Sequence, residues 1–303
     1  MLIKIFFCLH LLFASIVVCL HLHIASKDTN SPLITKTMKQ TILVTGASSG
    51  FGLLIATKLH DSGYSIIGTS RYPAKYAAKF PFKMIALDLD DEQSLATFSA
   101  RLFREINQLD MLINNAGFLV SGIAEEIPVE LGRQQFETNF WGTIKVTNAV
   151  LPHFRKQKSG KIITVGSIVG LVSFPNAAYY AASKHALEGY FKALRYELTE
   201  FNISVAMIQP SAFKTSIMDN SFSPLNKIDD YNSLRSKIEK FTTGLVNSAE
   251  DPAIVAEKVL NVVRADRPKF RNVVGKGTNV LFNLQHFAYG ILEKNVLKQL
   301  NKN

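Results

Sequence analysis

The sequence predicts an α/β fold, a doubly wound parallel sheet in three layers within a single domain. Short apolar segments rich in β-branched residues alternate with helical segments from Met38 onward. Near-continuous apolar strands separated by helices are typical of a parallel sheet that is covered on both faces. The length of 303 residues suits one domain of this class. In such sheets the ligand lies at the carboxyl ends of the strands, so functional residues should directly follow the strands.

Local sequence patterns predict the bounds of the individual strands and helices. Gly63 is a helix stop, and Pro152 predicts a break or bend inside a long helix. The predicted strands are 41–45, 64–70, 83–89, 111–117, 161–167 and 203–210, with a seventh, edge strand at 273–275. The predicted helices are 52–63, 90–107, 128–158 and 178–201.

Composition and charge exclude several functions. The net charge is +10, but no Lys/Arg-rich run of the kind that grips a phosphate backbone occurs, so no nucleic-acid partner is expected. The two cysteines, Cys8 and Cys19, lie in the first 20 residues, which excludes disulfides, thiolate metal sites and a cysteine nucleophile from the rest of the chain. The seven histidines show no paired metal spacing, so we expect no metal site.

The first 37 residues form an apolar leader, and residues 38–303 form the predicted catalytic domain. The apolar segment 5–26 is long enough for a membrane-spanning helix, which needs ~20 apolar residues. A cleaved secretory signal is a second interpretation, which His23 weakens because a small residue is preferred near a cleavage site. A third is an upstream extension, since Met38 directly precedes the first strand.

A glycine-rich turn, TGASSGFG at 45–52, lies between the first strand and the first helix. Glycines allow a tight turn and close backbone approach, and the helix N-terminus offers N–H groups and a positive dipole end to a pyrophosphate. The position of the turn therefore predicts dinucleotide binding in a Rossmann-type fold. The cofactor-binding residues predicted in this turn are Gly46, Ser48, Ser49, Gly50, Phe51 and Gly52.

The residues after the second strand predict NADP(H) as the cofactor. The sequence there is Thr69-Ser70-Arg71, without the carboxylate that would bind a ribose 2′-hydroxyl. The planar guanidinium of Arg71 could pair with a 2′-phosphate. Further cofactor contacts are predicted at the ends of the third, fourth and sixth strands, at Asp88, Leu89, Asn115, Ala116, Gly117 and Pro210.

The candidate chemical group is Tyr180 with Lys184, four residues apart on one face of a predicted helix. A neighbouring ammonium should lower the pKa of the phenol, so that Tyr180 can exchange a proton with a carbonyl or alcohol. The adjacent Tyr179 has Ser183 at the same spacing and gains no cation, so it should pack or line the cleft.

Two further polar residues fit this site. Ser167 ends the fifth strand and could hydrogen-bond the substrate oxygen, where it would stabilise developing charge. Asn139 lies in TNFWG inside the long helix, as a surface amide or as the partner of a buried water. Together with Tyr180 and Lys184 they would form an acid–base site beside a hydride carrier.

These motifs together resemble the short-chain dehydrogenase/reductase family. The resemblance covers roughly 39–212 and includes TGxxxGxG at 45–52, NNAG at 114–117 and YxxxK at 180–184. It implies a catalytic tetrad of Asn139, Ser167, Tyr180 and Lys184. In it Tyr180 is the acid–base, Lys184 also binds the nicotinamide ribose, and Asn139 fixes a water of the proton relay. The segment from Ser173 onward looks most like NADP-preferring enzymes related to hydroxysteroid and retinol dehydrogenases.

The chain departs from the family pattern without losing a catalytic group. Phe51 stands where an aliphatic residue is usual, Gly166 replaces a commoner serine, and Pro210-Ser211 replaces Pro-Gly. Thr215 still fits the family residue that meets the cofactor carboxamide, so it joins the predicted cofactor site.

The substrate side is predicted from its position alone. Residues 212–251 fall where such enzymes place a lid, and 277–303 should form a helical tail that packs on the domain, on a second subunit or on lipid. The resemblance implies an oxidoreductase that interconverts an alcohol and a carbonyl, usually in a homo-oligomer. We expect a small-molecule, lipophilic substrate.

Two other functions stay open at this point: a non-catalytic NADP-binding scaffold, and an epimerase-type use of the same Tyr180 and Lys184. A cysteine-free, NADP(H)-dependent domain indicates the cytosol. It would be anchored there through 5–26, which would then contact a membrane, or it would be plainly cytoplasmic if translation starts at Met38.

Overall fold

The computed structural model describes residues 39–76, 78–213, 222–224, 226–247 and 249–301. Within these residues, seven strands form one parallel sheet in the order β3-β2-β1-β4-β5-β6-β7. The strands are β1 Thr41–Val44, β2 Ser65–Ser70, β3 Lys83–Ala86, β4 Met111–Asn114, β5 Gly160–Val165, β6 Ile203–Pro210 and β7 Arg271–Val274. The chain reverses its direction of travel across the sheet between β3 and β4, so the predicted doubly wound α/β fold is confirmed.

Helices cover both faces of the sheet. Those that the structure describes are α1 Gly50–Asp61, α2 Glu92–Glu105, α3 Val129–Phe136, α4 Thr143–Gln157, α5 Ala178–Glu197, α6 Asn232–Asn247, α7 Ala253–Arg264, α8 Thr278–Phe287 and α9 Tyr289–Leu300. Short 3₁₀ segments lie at Pro73–Tyr76, Ala124–Glu126, Ile168–Gly170, Thr199–Phe201 and Asp229–Tyr231.

The core is divided by the sheet into two apolar layers. Side chains alternate along a strand, so Ile42 of β1 faces one layer while Leu43 faces the other. The first layer packs β1 and its neighbours on α1 and α7, and the second packs them on α2, α4 and α5. Full burial of a side chain such as Phe98 or Phe191 contributes about 1.5–3 kcal/mol. These layers hold the strand ends in fixed positions.

Several strands end earlier than the sequence predicts. The third, fourth and fifth end at Ala86, Asn114 and Val165 rather than at 89, 117 and 167. One further backbone N–H after β3 and after β5, on Leu87 and Gly166, still donates to the neighbouring strand, while other polar groups beyond the strand ends bind loops. The segment 115–117, for example, turns toward the glycine-rich turn.

The long helix predicted over 128–158 has an interruption in a different place. It divides into α3, a π-helical segment at Glu137–Gly142 and α4. Helix α4 continues through Pro152, so the predicted break there is wrong. The π segment contains Asn139, and such wide turns frequently occur at functional sites.

The end of the chain packs beside the active-site edge of the sheet. The predicted lid contains the 3₁₀ segment Asp229–Tyr231 and α6, while 214–221, 225 and 248 lie outside the described residues.

No helix in the described part of the chain is long and apolar enough to cross a bilayer. The leader, including 5–26, is likewise outside the described residues.

Candidate active site

Tyr180 and Lys184 lie one turn apart on α5, beside the carboxyl end of β5. The Lys184 Nζ lies 5.6 Å from the centre of the Tyr180 ring and donates a hydrogen bond of 3.2 Å to the carbonyl oxygen of Val165. Lys184 is only 6% exposed. Helix α5 thus holds an ammonium group against the tyrosine ring in a buried position.

Burial dominates the electrostatics of this pair. It raises the pKa of Tyr180 to about 12, although the residue as a whole is half-buried, and a side-chain hydrogen bond with Ser167 opposes this rise. Burial also lowers the pKa of Lys184 to about 8. The expectation that Lys184 lowers the tyrosine pKa is therefore not met by the protein groups alone, because desolvation of the phenolate dominates and Lys184 is not among the groups that shift this pKa.

Ser167 brings a second hydroxyl to Tyr180. It lies two residues after β5 and begins the 3₁₀ segment Ile168–Gly170, where its Oγ accepts a 3.3 Å hydrogen bond from the Val169 N–H. Its side chain lies near the Tyr180 hydroxyl, where hydrogen bonding to it favours a lower tyrosine pKa. Two hydroxyl groups from different elements therefore meet at one point, as a site for a carbonyl oxygen requires.

Asn139 is buried, with 1% exposure, and fixes the loop after β4 to the helices. Its Oδ1 accepts a hydrogen bond from the Phe118 N–H and its Nδ2 donates one to the Phe118 carbonyl, both at 2.9 Å. The Nδ2 also lies 3.4 Å from the Ser183 Oγ. The amide thus links the β4 loop to α5, and its role in holding a water stays a prediction.

The glycine-rich turn is shaped for a close approach. Gly46 has φ +65°, and a Cβ on Gly52 would lie 2.2 Å from the Gly46 carbonyl oxygen and 2.4 Å from the Asn115 Nδ2. Helix α1, described in full, begins after Ser49 without a side-chain cap and has no acidic residue in its first turn. Its first N–H groups and positive dipole end are therefore left for an anion. This cradle fits the pyrophosphate of a dinucleotide.

Thr45 organises the contact between this turn and the β4 loop, a role that the sequence pattern alone does not predict. Its Oγ1 accepts hydrogen bonds from the N–H groups of Asn115, at 2.9 Å, and Ala116, at 3.1 Å. The Asn115 Nδ2 donates in return to the Thr45 carbonyl at 3.0 Å. The signal was present, since Thr45 opens the motif, but its partner lies 70 residues away in the sequence.

The other predicted cofactor residues occupy the same edge of the sheet. Arg71 is exposed directly after β2, and the Asp88 Oδ1 accepts a 3.1 Å hydrogen bond from the Asp90 N–H. Phe51 packs edge-on against Phe213, with 5.7 Å between ring centres. Also placed along this edge are Ser48, Gly50, Leu89, Gly117 and Pro210. Thr215 lies outside the described residues.

Tyr179 is turned away from this group. A Cβ on Gly132 of α3 would lie 2.3 Å from its ring, so Tyr179 packs on that helix. Ser183, whose spacing in the sequence pairs it with Tyr179, donates a 2.8 Å hydrogen bond to the Tyr180 carbonyl. The sequence pattern also does not predict a role for Gln135, whose Nε2 donates to the Phe118 carbonyl at 2.9 Å.

Comparison with known proteins agrees with this geometry. The family model of short chain dehydrogenases matches residues 40–226. A Bacillus subtilis protein named as an uncharacterized oxidoreductase is 41% identical over 254 residues, which cover 79% of this chain and 90% of the relative. The 3-ketodihydrosphingosine reductase of Bacteroides thetaiotaomicron is 36% identical over 245 residues, covering 80% and 90%. A short-chain dehydrogenase structure from Streptomyces avermitilis superposes with a TM-score of 0.75 at 28% identity, covering 88% and 99%.

The chain belongs to the short-chain dehydrogenase/reductase family. It is an oxidoreductase of that family, whose members use nicotinamide cofactors.

Proposed function

We propose that the chain reduces a ketone or aldehyde with NADPH, and that Tyr180 gives the proton to the carbonyl oxygen. The convergence of Ser167, after β5, and of Tyr180 and Lys184, on α5, beside a cradle that fits a dinucleotide is the observation that carries this proposal. The bound cofactor supplies the hydride. The two hydroxyl groups hold the substrate oxygen, and the proton moves from the Tyr180 Oη to it as the carbonyl carbon is reduced.

The electrostatics of the site support reduction. A phenol whose pKa is raised to about 12 stays protonated across the physiological range, so Tyr180 is ready to donate. Lys184, whose pKa is lowered to about 8, still carries most of its charge at pH 7 and stabilises the phenolate that forms. The reverse reaction, oxidation of an alcohol, needs the phenolate first and should therefore speed up as the pH rises.

Arg71 supports NADPH rather than NADH. It is exposed, directly after β2, where the fold brings a ribose 2′ position, and Ser70 and Tyr72 on either side carry no charge. A guanidinium pairs well with a phosphate and gains nothing from a ribose hydroxyl of NADH.

Aromatic side chains near the site support a lipophilic substrate. Phe118 meets Phe222 edge-on at 5.5 Å, and Phe174 lies 6.3 Å from Phe241 of α6. The relative from Bacteroides is named for the reduction of 3-ketodihydrosphingosine, a lipid ketone. We infer that the substrate of this chain is an apolar ketone of similar character.

The first experiment measures NADPH oxidation by the full chain with a series of ketones of increasing alkyl length. Tyr180→Phe should lower kcat by about 10²–10⁴-fold while NADPH still binds, because only the acid–base group is lost. Tyr179→Phe is the matched control, since that ring packs on α3, and it should keep its activity. An active Tyr180→Phe variant would overturn the mechanism, and turnover without net NADPH oxidation would indicate an epimerase.

The second experiment titrates NADPH and NADH into the protein and its Arg71→Ala variant. Loss of a phosphate–guanidinium pair should weaken NADPH binding by about ten- to 100-fold and leave NADH nearly unchanged. Equal effects on both cofactors would show that Arg71 does not reach the 2′ position.

A further inference from the structure

The outer side of α8 and α9 carries an unusual concentration of exposed apolar side chains. Among the described residues, twelve large hydrophobic side chains are exposed, and five of them lie within 278–300. Phe287 is 85% exposed and Val280, seven residues earlier on the same face of α8, is 60% exposed. The remaining three are Tyr289, Ile291 and Leu297. Scattered exposed hydrophobics are ordinary, but a cluster on two adjacent helices indicates a contact surface.

The part of the chain from Arg267 onward, which includes these two helices, carries more than half of the net positive charge. After Asp266 the sequence contains seven Lys/Arg residues and one acidic residue, a net charge of +6 out of the +10 of the whole chain. Lys276, before α8, and Lys294 and Lys298, on α9, are exposed. Exposed apolar and basic side chains therefore occupy one surface, which we call the C-terminal surface.

We propose that the C-terminal surface, formed by α8 and α9, docks on an anionic lipid bilayer. Amphipathic helices bind bilayers by placing aromatic and aliphatic side chains among the acyl chains while lysines meet the headgroups. A bilayer satisfies both features of this surface. A second copy of the chain would place two positively charged surfaces against each other. An acidic soluble partner would pair with the lysines but would not account for the exposed Phe287 side chain.

The inner side of the two helices connects this surface to the active site. Leu281 and Leu292 pack on the segment 168–172, which directly follows Ser167. A docked chain would therefore hold its active-site edge close to the lipid. This docking needs no spanning helix, does not involve 5–26 and does not depend on the proposed function.

The test uses tryptophan fluorescence in the full chain, because its single tryptophan, Trp141, can be moved. One variant is Trp141→Phe with Phe287→Trp. Its matched control is Trp141→Phe with Tyr196→Trp, at a site that is 67% exposed near the end of α5, toward the opposite edge of the sheet. Each is mixed with phosphatidylcholine vesicles, with or without phosphatidylglycerol, whose acyl chains carry bromine as a quencher.

With phosphatidylglycerol present, we expect the Phe287→Trp probe to shift to the blue and to be quenched, and the Tyr196→Trp probe to change little. Both variants share the leader, so binding through 5–26 alone would not quench the first probe selectively. An unquenched Phe287→Trp probe, or equal quenching of both, would overturn the proposal. A blue shift that grows with protein concentration in the absence of lipid would overturn it in favour of self-association.

A charge variant tests the second half of the proposal. Lys294→Gln with Lys298→Gln should weaken vesicle binding of the Phe287→Trp probe by about 25-fold, from about fivefold for each lysine near an anionic surface. Lys192→Gln, on α5, is the control and should leave binding unchanged. An unaltered titration for the double variant would contradict docking on anionic lipid.

Discussion

The cofactor side and the substrate side of the active-site edge are held together by different forces. The turn at 45–52 is fixed by backbone contacts so close that a single Cβ on Gly52 would collide with a carbonyl oxygen. The lid helix α6 is instead held by side chains. Arg235 pairs with Glu126, and the Tyr231 hydroxyl donates a 2.7 Å hydrogen bond to Glu125.

The difference teaches which half of the site can change. A backbone cradle accepts only glycine where its backbone is crowded or has a positive φ, so its glycine pattern is readable in the sequence. Side-chain contacts can be exchanged for others without altering the fold, which lets one scaffold serve many substrates. Substitutions at Gly52 and Arg235 test this contrast directly, and substitutions of two buried lysines test the energetics of the site between them.

Gly52→Ala should have the largest effect. The added Cβ would lie 2.2 Å from the Gly46 carbonyl oxygen, and neither this backbone nor the nearby Asn115 amide can move without opening the cradle. We expect cofactor binding to weaken by about 100-fold or more, with a loss of stability of about 1–3 kcal/mol. Calorimetric NADPH titration and thermal unfolding measure the two effects.

Gly189→Ala is the matched control for this prediction. Gly189 is exposed on α5 and a Cβ added there would meet no other atom within 4 Å, so alanine should be neutral or stabilise the helix by up to about 1 kcal/mol. Equal tolerance at both glycines would show that the cradle is not held by its backbone.

Lys184→Met should stabilise the protein while removing its activity. Folding lowers the pKa of Lys184 from 10.5 to about 8, so between these values the unfolded chain binds more protons and the free energy of unfolding rises with pH. Below pH 8 the buried charge costs about 3 kcal/mol, the product of this shift and 1.36 kcal/mol per pKa unit. At pH 7 the variant should gain up to this amount in free energy of unfolding, measured by urea unfolding. Between pH 8 and 10.5 its free energy of unfolding should rise less with pH than that of the unaltered protein.

The second buried lysine gives the opposite expectation. Burial also lowers the pKa of Lys161, but its Nζ donates to the carbonyl groups of Val262, Val263 and Ala265 at the end of α7. Lys161→Met would leave these carbonyl groups without that donor and should destabilise the protein by about 1–3 kcal/mol. If Lys184→Met and Lys161→Met both destabilise the protein, burial of the Lys184 charge does not lower the free energy of unfolding.

The sequence revealed what is local and missed what folding brings together. The glycine cradle and the one-turn spacing of Tyr180 and Lys184 are properties of a few consecutive residues. The clamp of Asn139 on Phe118 spans 21 residues and depends on a π turn that no pattern indicated. The one-turn spacing to Lys184 predicts a lowered pKa for Tyr180, whereas burial raises it. The spacing is a local property of the helix, but burial depends on the packing of the whole domain.

Arg235→Met should have the smallest effect, confined to the substrate. The Glu126 carboxylate, whose side chain is 2% exposed, would lose its cation. Among the described residues it would keep only the 2.8 Å hydrogen bond from the Ile228 N–H, so the attachment of α6 weakens. We expect KM to rise about tenfold, with kcat and NADPH affinity nearly unchanged, because this pair touches neither the cradle nor Tyr180. Steady-state kinetics, with a ketone that the NADPH-oxidation series shows to be a substrate, measure kcat and KM, and an NADPH titration measures the cofactor affinity.

A second substitution separates the ion pair from the shape of the lid. Glu126→Gln combined with Arg235→Met removes the unpaired buried charge, and replacing both partners of a buried pair is often nearly neutral. The KM of the double variant should therefore return most of the way to the wild-type value. If it stays as impaired as Arg235→Met alone, Arg235 acts through packing, and the lid would be as dependent on precise shape as the cofactor cradle.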